Sequence, residues 1–575
     1  MKRMLCLFLS LVMVLGMLAG CGGKADAPQE IQQETQMETQ QETTEVLPEP
    51  LSALELMLAD ADALRQSILN SPTEITVTGT SYYVSNSGND ANDGLTPETA
   101  WATVEKVSNA ELEPGDAVLF ERGDVFREHV LYCQKGVTYS AYGEGPKPVI
   151  TGSPENGADP EKWTLYGETA DGGKVWLYHR NMRDCGTLVL NGDTGARKIA
   201  PYWDGSDFVT EDGQPFDVLS GLKTDLSFFS PADSLIKKNV AVDRPSIAGW
   251  TIGVPLYDES FSGTEGALYF RCDEGNPGEV FESIEFAMRP IEAGDSLIYL
   301  HADNVIDNLN VFANAACGFM HLDDIGTLCQ IQNCEISFCG GYVLFYDEQG
   351  RPEMAGDGMN IQRPCVIANN YIHHNADNGI TCEYGDGGKN VLISELTISR
   401  NLFEYNRMDI QVTSFDEDMK ANGSVFRDIL VEDNYMLYTS DGWSNYIHSE
   451  NGDYSPGGCI KCGDFSSPLY SENLVFRNNI LYSETARSFI YGGNIGYEPP
   501  VFENNTLYMR PYAQMPQNTG AVALWANDEY IGEEHTEFLW IFDDSVWPEW
   551  FSVKDWNMFL NEYLGTGNTL VFVDD

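Results

Sequence analysis

Residues 370–383 read Asn370-Tyr371-Ile372-His373-His374-Asn375-Ala376-Asp377-Asn378-Gly379-Ile380-Thr381-Cys382-Glu383. Residues 401–413 repeat the pattern as Asn401-Leu402-Phe403-Glu404-Tyr405-Asn406-Arg407-Met408-Asp409-Ile410-Gln411-Val412-Thr413. Each stretch opens on Asn and a short apolar run, turns, and continues into an alternating strand. The opening motif recurs as Asn310-Val311-Phe312, Cys334-Glu335-Ile336, Asn434-Tyr435-Met436, Asn479-Ile480-Leu481 and Asn505-Thr506-Leu507. Successive starts lie 24, 36, 31, 33, 45 and 26 residues apart. One strand–turn–strand coil with loops of variable length explains both the recurrence and its irregularity. Leucine-rich repeats and propellers predict more regular periods. Asn heads six of the seven motifs, which predicts a ladder of amides bonded from coil to coil at a tight bend.

A second strand follows the motifs and can be laid over itself. The copies are CGFMHLD at 317–323, GDGMNIQ at 356–362, DNGITCE at 377–383, MDIQVTS at 408–414, GGCIKCG at 457–463 and SFIYGG at 488–493. Strand side chains alternate between faces. Met359 and Ile361, Ile380 and Cys382, Ile410 and Val412, and Ile460 and Cys462 are read as inward. Asn360 and Gln362, Thr381 and Glu383, Gln411 and Thr413, and Lys461 are then outward. His321 and Asp323 join them if Met320 and Leu322 are buried. Coils stack ~4.8 Å apart, so the outward residues form one polar stripe suited to an extended glycan.

The rest of the chain frames this solenoid. Its 575 residues include 42% hydrophobic and 11% aromatic positions, ample for a long core. The formal charge of -55 excludes nucleic acid as a partner, because phosphate binding needs a basic surface. Lys2 and Arg3, then an apolar run from Leu5 to Leu18, read as an export signal over 1–20. The signal ends Leu18-Ala19-Gly20-Cys21, which resembles a bacterial lipobox. That resemblance implies lipidation at Cys21 and anchoring to the outer face of the membrane. Residues 21–50, rich in Gln, Glu and Thr, read as a tether. Residues 51–80 hold a short helix, about Ser52 to Leu69, and a lead-in. Residues 81–154 form an N-terminal cap and first coils, 155–290 an inserted β-rich subdomain, 291–515 the main coils, and 516–575 a C-terminal cap. A helix around 553–564 and five tryptophans from Trp525 onward would close that end. Two of the thirteen cysteines precede the body, and an odd remainder is a poor disulfide framework.

The body opens YYVSNSGNDANDGLTPETAWATVEKV, then GDAVLFERGDVF, then GVTYSAYGEGPKPVITGS. This resembles the start of bacterial right-handed parallel β-helix proteins of the pectate-lyase-like superfamily. In them a first strand and Gly/Asp-rich turn lead to a capping helix, here about Ala102 to Asn109. LYFRCDEGNPG and SIEFAMRP resemble the stretch that re-enters the coils in extracellular glycan-active members. GDGMN followed by NGIT resembles a motif pair of β-helix glycan enzymes. The resemblance implies an all-β right-handed parallel β-helix with helical caps, and an activity on polysaccharide or oligosaccharide.

Asp357, Asp377 and Asp409 precede the stripe on three consecutive coils. Stacked carboxylates are costly unless a cation or proton is shared. They fit a calcium site or an acid/base pair, or else ordinary Asp turn chemistry. Hydrolysis would draw its two carboxyls from Asp357, Asp377, Glu383 and Asp409. A lyase would use Lys461 as base with calcium acidifying the substrate, although acidic neighbours work against a lysine base. His321, Asp323, Asn360, Thr381, Arg407 and Gln411 are the candidate substrate contacts. Cys459 and Cys462 form one CxxC, a weak zinc signal against inward packing. His373 and His374 read as structural turn residues. NDANDG at 89–94 has calcium-loop composition without the spacing of an EF-hand. Two functions stay open: an extracellular polysaccharide-degrading enzyme, hydrolase or lyase, and a non-catalytic glycan-binding surface lipoprotein. Either is read as a monomer.

Overall fold

Alternating apolar positions on three sets of strands meet in one long core. The computed structural model describes residues 51–178, 185–205, 207–230, 268–290, 296–321, 328–346, 349–384, 392–414, 425–446, 457–463, 470–483, 488–494, 500–509, 521–526, 561 and 565–573. The export signal, Cys21, the tether, Asp323 and most of the C-terminal cap lie outside the described residues.

The body is a right-handed parallel β-helix of three sheets. The first has ten strands, from Ser81–Val84 to Val501–Glu503. The second has nine: Leu131–Tyr132, Ser296–Leu300, Cys317–His321, Met359–Asn360, Asn378–Tyr384, Met408–Ser414, Gly458–Cys462, Ser488–Asn494 and Ala521–Ala526. The third has ten, from Val125–Arg127 to Thr569–Phe572. Neighbouring strands pair in parallel within each of these sheets, so like residues stack. In the first sheet Ile306, Ile331, Ile367, Ile398, Val431 and Phe476 form one buried column. In the second, Ile298, Phe319, Met359, Ile380, Ile410, Ile460 and Ile490 form another. Each such side chain contributes roughly 1.5–3 kcal/mol by leaving water.

Two helices protect what coils cannot. Helix α2, Val104–Asn109, buries Val104 and Val107 over the first coil. Its N-terminus is set by Asp90, whose carboxylate accepts from the Ala102 and Thr103 amides and the Thr103 hydroxyl. The Gly/Asp-rich turn thus aims the cap. Helix α1, Ala53–Leu69, starts with a capping box between Ser52 and Glu55. Its apolar face packs on the outer side of the third sheet, with Met57, Ala61 and Ile68 against Tyr371, Leu402, Leu437 and Tyr482. Arg65 forks onto Glu404 at 2.6 and 3.1 Å, and the Tyr371 hydroxyl donates to the same carboxylate.

The insertion carries its own antiparallel sheet and a core of Trp163, Tyr178, Leu188, Phe228, Phe270 and Phe286. It docks where the third sheet turns into the second. Lys198 donates to the Gly341 carbonyl at 3.0 Å, and Trp443 packs beside Gly195 and Gly341.

Two amide ladders hold the turns. At the first, Asn370, Asn401, Asn434, Asn479, Asn505 and Asn568 are buried, and each side-chain amide donates to the next at 3.0–3.1 Å. The residue before each Asn from 370 to 505 has positive φ: Asn369, Arg400, Asp433, Asn478 and Asn504. Asn310 is not a rung. It pairs with Glu335, so Leu309 takes the rung position and the first motif is offset by one. Cys334 occupies a rung, and its amide donates to Asn370. The second ladder was not visible as a motif. The amides of Cys339 and Asn375 donate to Asn375 and Asn406, and the Asn375 side chain donates to Asn406 at 2.9 Å.

Replacing Asn434 with Leu strands two donors on Asn401 and the Ile398 carbonyl. The predicted cost is ~3 kcal/mol, read as a lower urea midpoint. A surface change such as Asp433→Asn should leave that midpoint nearly unmoved.

Candidate functional site

The second ladder places the site. Asp377 follows its rung Asn375 by two residues, and Arg407 follows Asn406 directly. Arg407 donates to Asp377 at 2.9 Å across neighbouring coils, with both side chains partly exposed. The next outward position up the strand is a column. Register runs Tyr132, Tyr299, Met320, Asn360, Thr381, Gln411 and Lys461. Asn360, Thr381, Gln411 and Lys461 therefore share one wall. Glu383 lies two residues beyond Thr381 and pairs with Thr413. Gln411 donates to both the Thr381 hydroxyl and the Glu383 carboxyl, each at 3.3 Å.

Three carboxyls gather here. Burial pushes Glu383 up to about 7; the nearby Asp377 adds to the rise and Lys461 opposes it. Asp357 is raised well above the carboxylate range, first by burial, then by the charges of Asp377 and Glu383. Asn378 fixes Asp357 through its amide and side chain, at 3.2 and 2.8 Å. Asp377 instead faces solvent in part and holds a cation. The cluster contains one buried and one half-buried carboxyl that favour their protons, and one that is ion-paired. Among the described residues, no group of three His, Cys, Asp or Glu side chains is placed to hold a metal ion.

Several positions depart from the stripe. The three aspartates do not stack. Asp357 falls in the Asn378 and Met408 column, whereas Asp377 is level with Arg407. Asp409 is level with Gly379, a position where a Cβ would meet the core ring of Phe403. It is fully buried in the coil corner, accepting from Asn406 at 3.1 Å and from Thr439. Asp409 is thus a corner residue and not an outward acid. His321 takes the register of buried Leu300, because Met320 sits on the outward column. Its Nε2 is buried without a hydrogen-bond partner. Burial, then Arg363, lowers its pKa to about 4. A neutral ring on the core side is not the predicted outward contact. Cys459 and Cys462 are buried in the core on either side of Lys461, which is ordinary inward packing. His374 is stacked between Phe338 and Tyr405 in an aromatic column, so it braces the turn.

Other groups at the site carried weaker sequence signals. Asn378, given no role of its own by the sequence, orients Asp357. Tyr132 and Tyr299 belong to stretches outside the aligned strands, yet their rings stack at 5.4 Å on the same column.

Comparisons give partial likenesses and no family. No family model matches. A lacto-N-biosidase of Bifidobacterium longum is 28% identical over 186 residues, covering 30% of this chain and 11% of that protein. The chain thus spans a small part of that relative's length. Among solved structures, a complex of XylC with xylose shares 13% identity over 79% of this chain and 88% of that one, at a TM-score of 0.34. A native GH136 lacto-N-biosidase from Eubacterium ramulus shares 13% over 90% and 70%, at 0.30. Pectate lyase Pel9A shares 12% over 79% of each chain, at 0.31.

Burial also pushes Asp409 up to about 7, from an ordinary 3.8. The folded carboxyl holds its proton more tightly than the unfolded one. Its contribution to stability therefore falls as pH rises from about 4 to about 7. Asp409→Asn keeps the bonds to Asn406 and Thr439 without the charge. Melts across that window should lose stability more gently in the variant than in the parent, by ~2–4 kcal/mol at the alkaline end.

Proposed function

We propose that this chain is a glycoside hydrolase acting on a neutral oligosaccharide or polysaccharide. The observation that carries the reading is one pair of carboxyls held in different surroundings. Glu383 is half-buried and pushed up to about 7, while Asp377 is paired with Arg407. Environments that separate two acids in this way supply a proton donor and an anionic partner. Glu383 would donate its proton to the leaving oxygen as the glycosidic bond breaks. Asp377 would face the positive charge that develops on the sugar ring, and a water would then bond to that carbon and return a proton to the Glu383 carboxylate. Asn360, Thr381, Gln411 and Lys461 line the wall along which the glycan lies.

The lyase reading is weaker. The base it needs, Lys461, lies on the same sheet as this carboxyl cluster. A uronate carboxylate would also meet Asp357, Asp377 and Glu383 together. The partial likeness to a lacto-N-biosidase supports a glycosidase and a non-acidic sugar. The lipobox-like Cys21 supports an exported enzyme anchored outside the cell.

The test is a panel of neutral and acidic glycans, with and without chelator. Reducing ends should appear on a neutral glycan, with no unsaturated product, and activity should fall as pH rises through about 7. Glu383→Gln and Asp377→Asn should each lower kcat by at least ~100-fold. Unsaturated products, or full turnover by Glu383→Gln, would reject the reading. Binding without turnover would identify a lectin-like protein instead.

A further inference from the structure

We propose that Thr413 is a positioning residue that receives Glu383 once it has given up its proton. The inference rests on the assignment of Glu383 as the proton donor. Thr413 lies directly opposite Glu383 on the next coil. Its side chain is fully buried, and its hydroxyl has no hydrogen-bond partner. An unsatisfied buried hydroxyl costs stability and is uncommon. In its present position Glu383 accepts only from Gln411 among the described residues, at 3.3 Å. That single long bond suits a neutral acid. An ionised carboxylate needs more donors.

The groups around Glu383 make the need specific. Asp377, just before its own strand, opposes its ionisation, and the proton-retaining Asp357 lies on the preceding coil. Lys461, two coils on, favours it. Gln411, one coil on, is shared with the Thr381 hydroxyl and cannot turn wholly to Glu383. Among the described side chains, Thr413 is the remaining uncommitted donor on the adjoining strand. A small rotation of Glu383 toward it would hold the anion until the proton returns. Removing this donor would raise the pKa of Glu383, because only the ionised form loses a bond.

The experiment follows the Glu383 carboxyl carbon by NMR titration of the full chain without glycan. The signal is assigned by its loss in Glu383→Gln. Thr413→Val should move the midpoint up by about one pH unit, and Thr413→Ser should restore it. The alkaline limb of kcat should shift the same way, with kcat about tenfold lower and KM little changed. If Thr413→Val does not fold, Thr413→Ala carries the same expectation. An unmoved midpoint in the folded variant overturns the proposal, even where Glu383→Gln is inactive. Undiminished turnover by Glu383→Gln would instead reject the proton-donor assignment itself.

Discussion

The chain depends on coil-to-coil registration at its corners. From Asn401 to Asn568, each rung of the first ladder accepts a neighbour's main-chain amide and side-chain amide on one oxygen. These groups are buried, so slipping by one residue would strand several donors per coil. It would also turn each strand's apolar side outward. The ladders and the stacked core columns therefore enforce the same alignment from two sides.

Function follows from that alignment because the chemistry is spread over several coils. Asp377 and Glu383 lie on one strand, Arg407 and Gln411 on the next, and Lys461 on a later one. None is a motif by itself. The second ladder ends two residues before Asp377 and one before Arg407, so the corner that stiffens the solenoid also fixes the ion pair. The insertion braces this corner through Lys198 and Trp443. Trp443 donates to the carbonyl of His374, inside the aromatic column. The long reach from sequence to site is thus shortened by rigid turns.

Much of this was readable in the residues, for a physical reason. Period-two alternation and a recurrent Asn are local signals, and parallel stacking copies them from coil to coil. That is why Asn360, Thr381, Gln411 and Lys461 fall on one wall as their alternation predicts. The reading fails where a strand begins inside a corner. There the backbone bends, and two consecutive side chains face the core. Asp409 falls at such a point and goes inward beside Gly379's place. His321 was misplaced by parity: Met320, apolar but outward, shifted the count. Asn310 misled for the same reason, one residue out of step with its rung. Electrostatics was least legible. The different surroundings of Glu383 and Asp377 depend on burial and on Arg407 from another coil, which no spacing reveals.

Stacking in register is the claim on which both site and mechanism rest. Its most direct test is a distance between spin labels placed at Tyr299 and Lys461, half-buried positions on the same column. Five coil steps separate them, so the account predicts one narrow backbone separation of about 24 Å, from ~4.8 Å per step. A broad distribution, or a separation well beyond that value, would show that these strands do not share one wall.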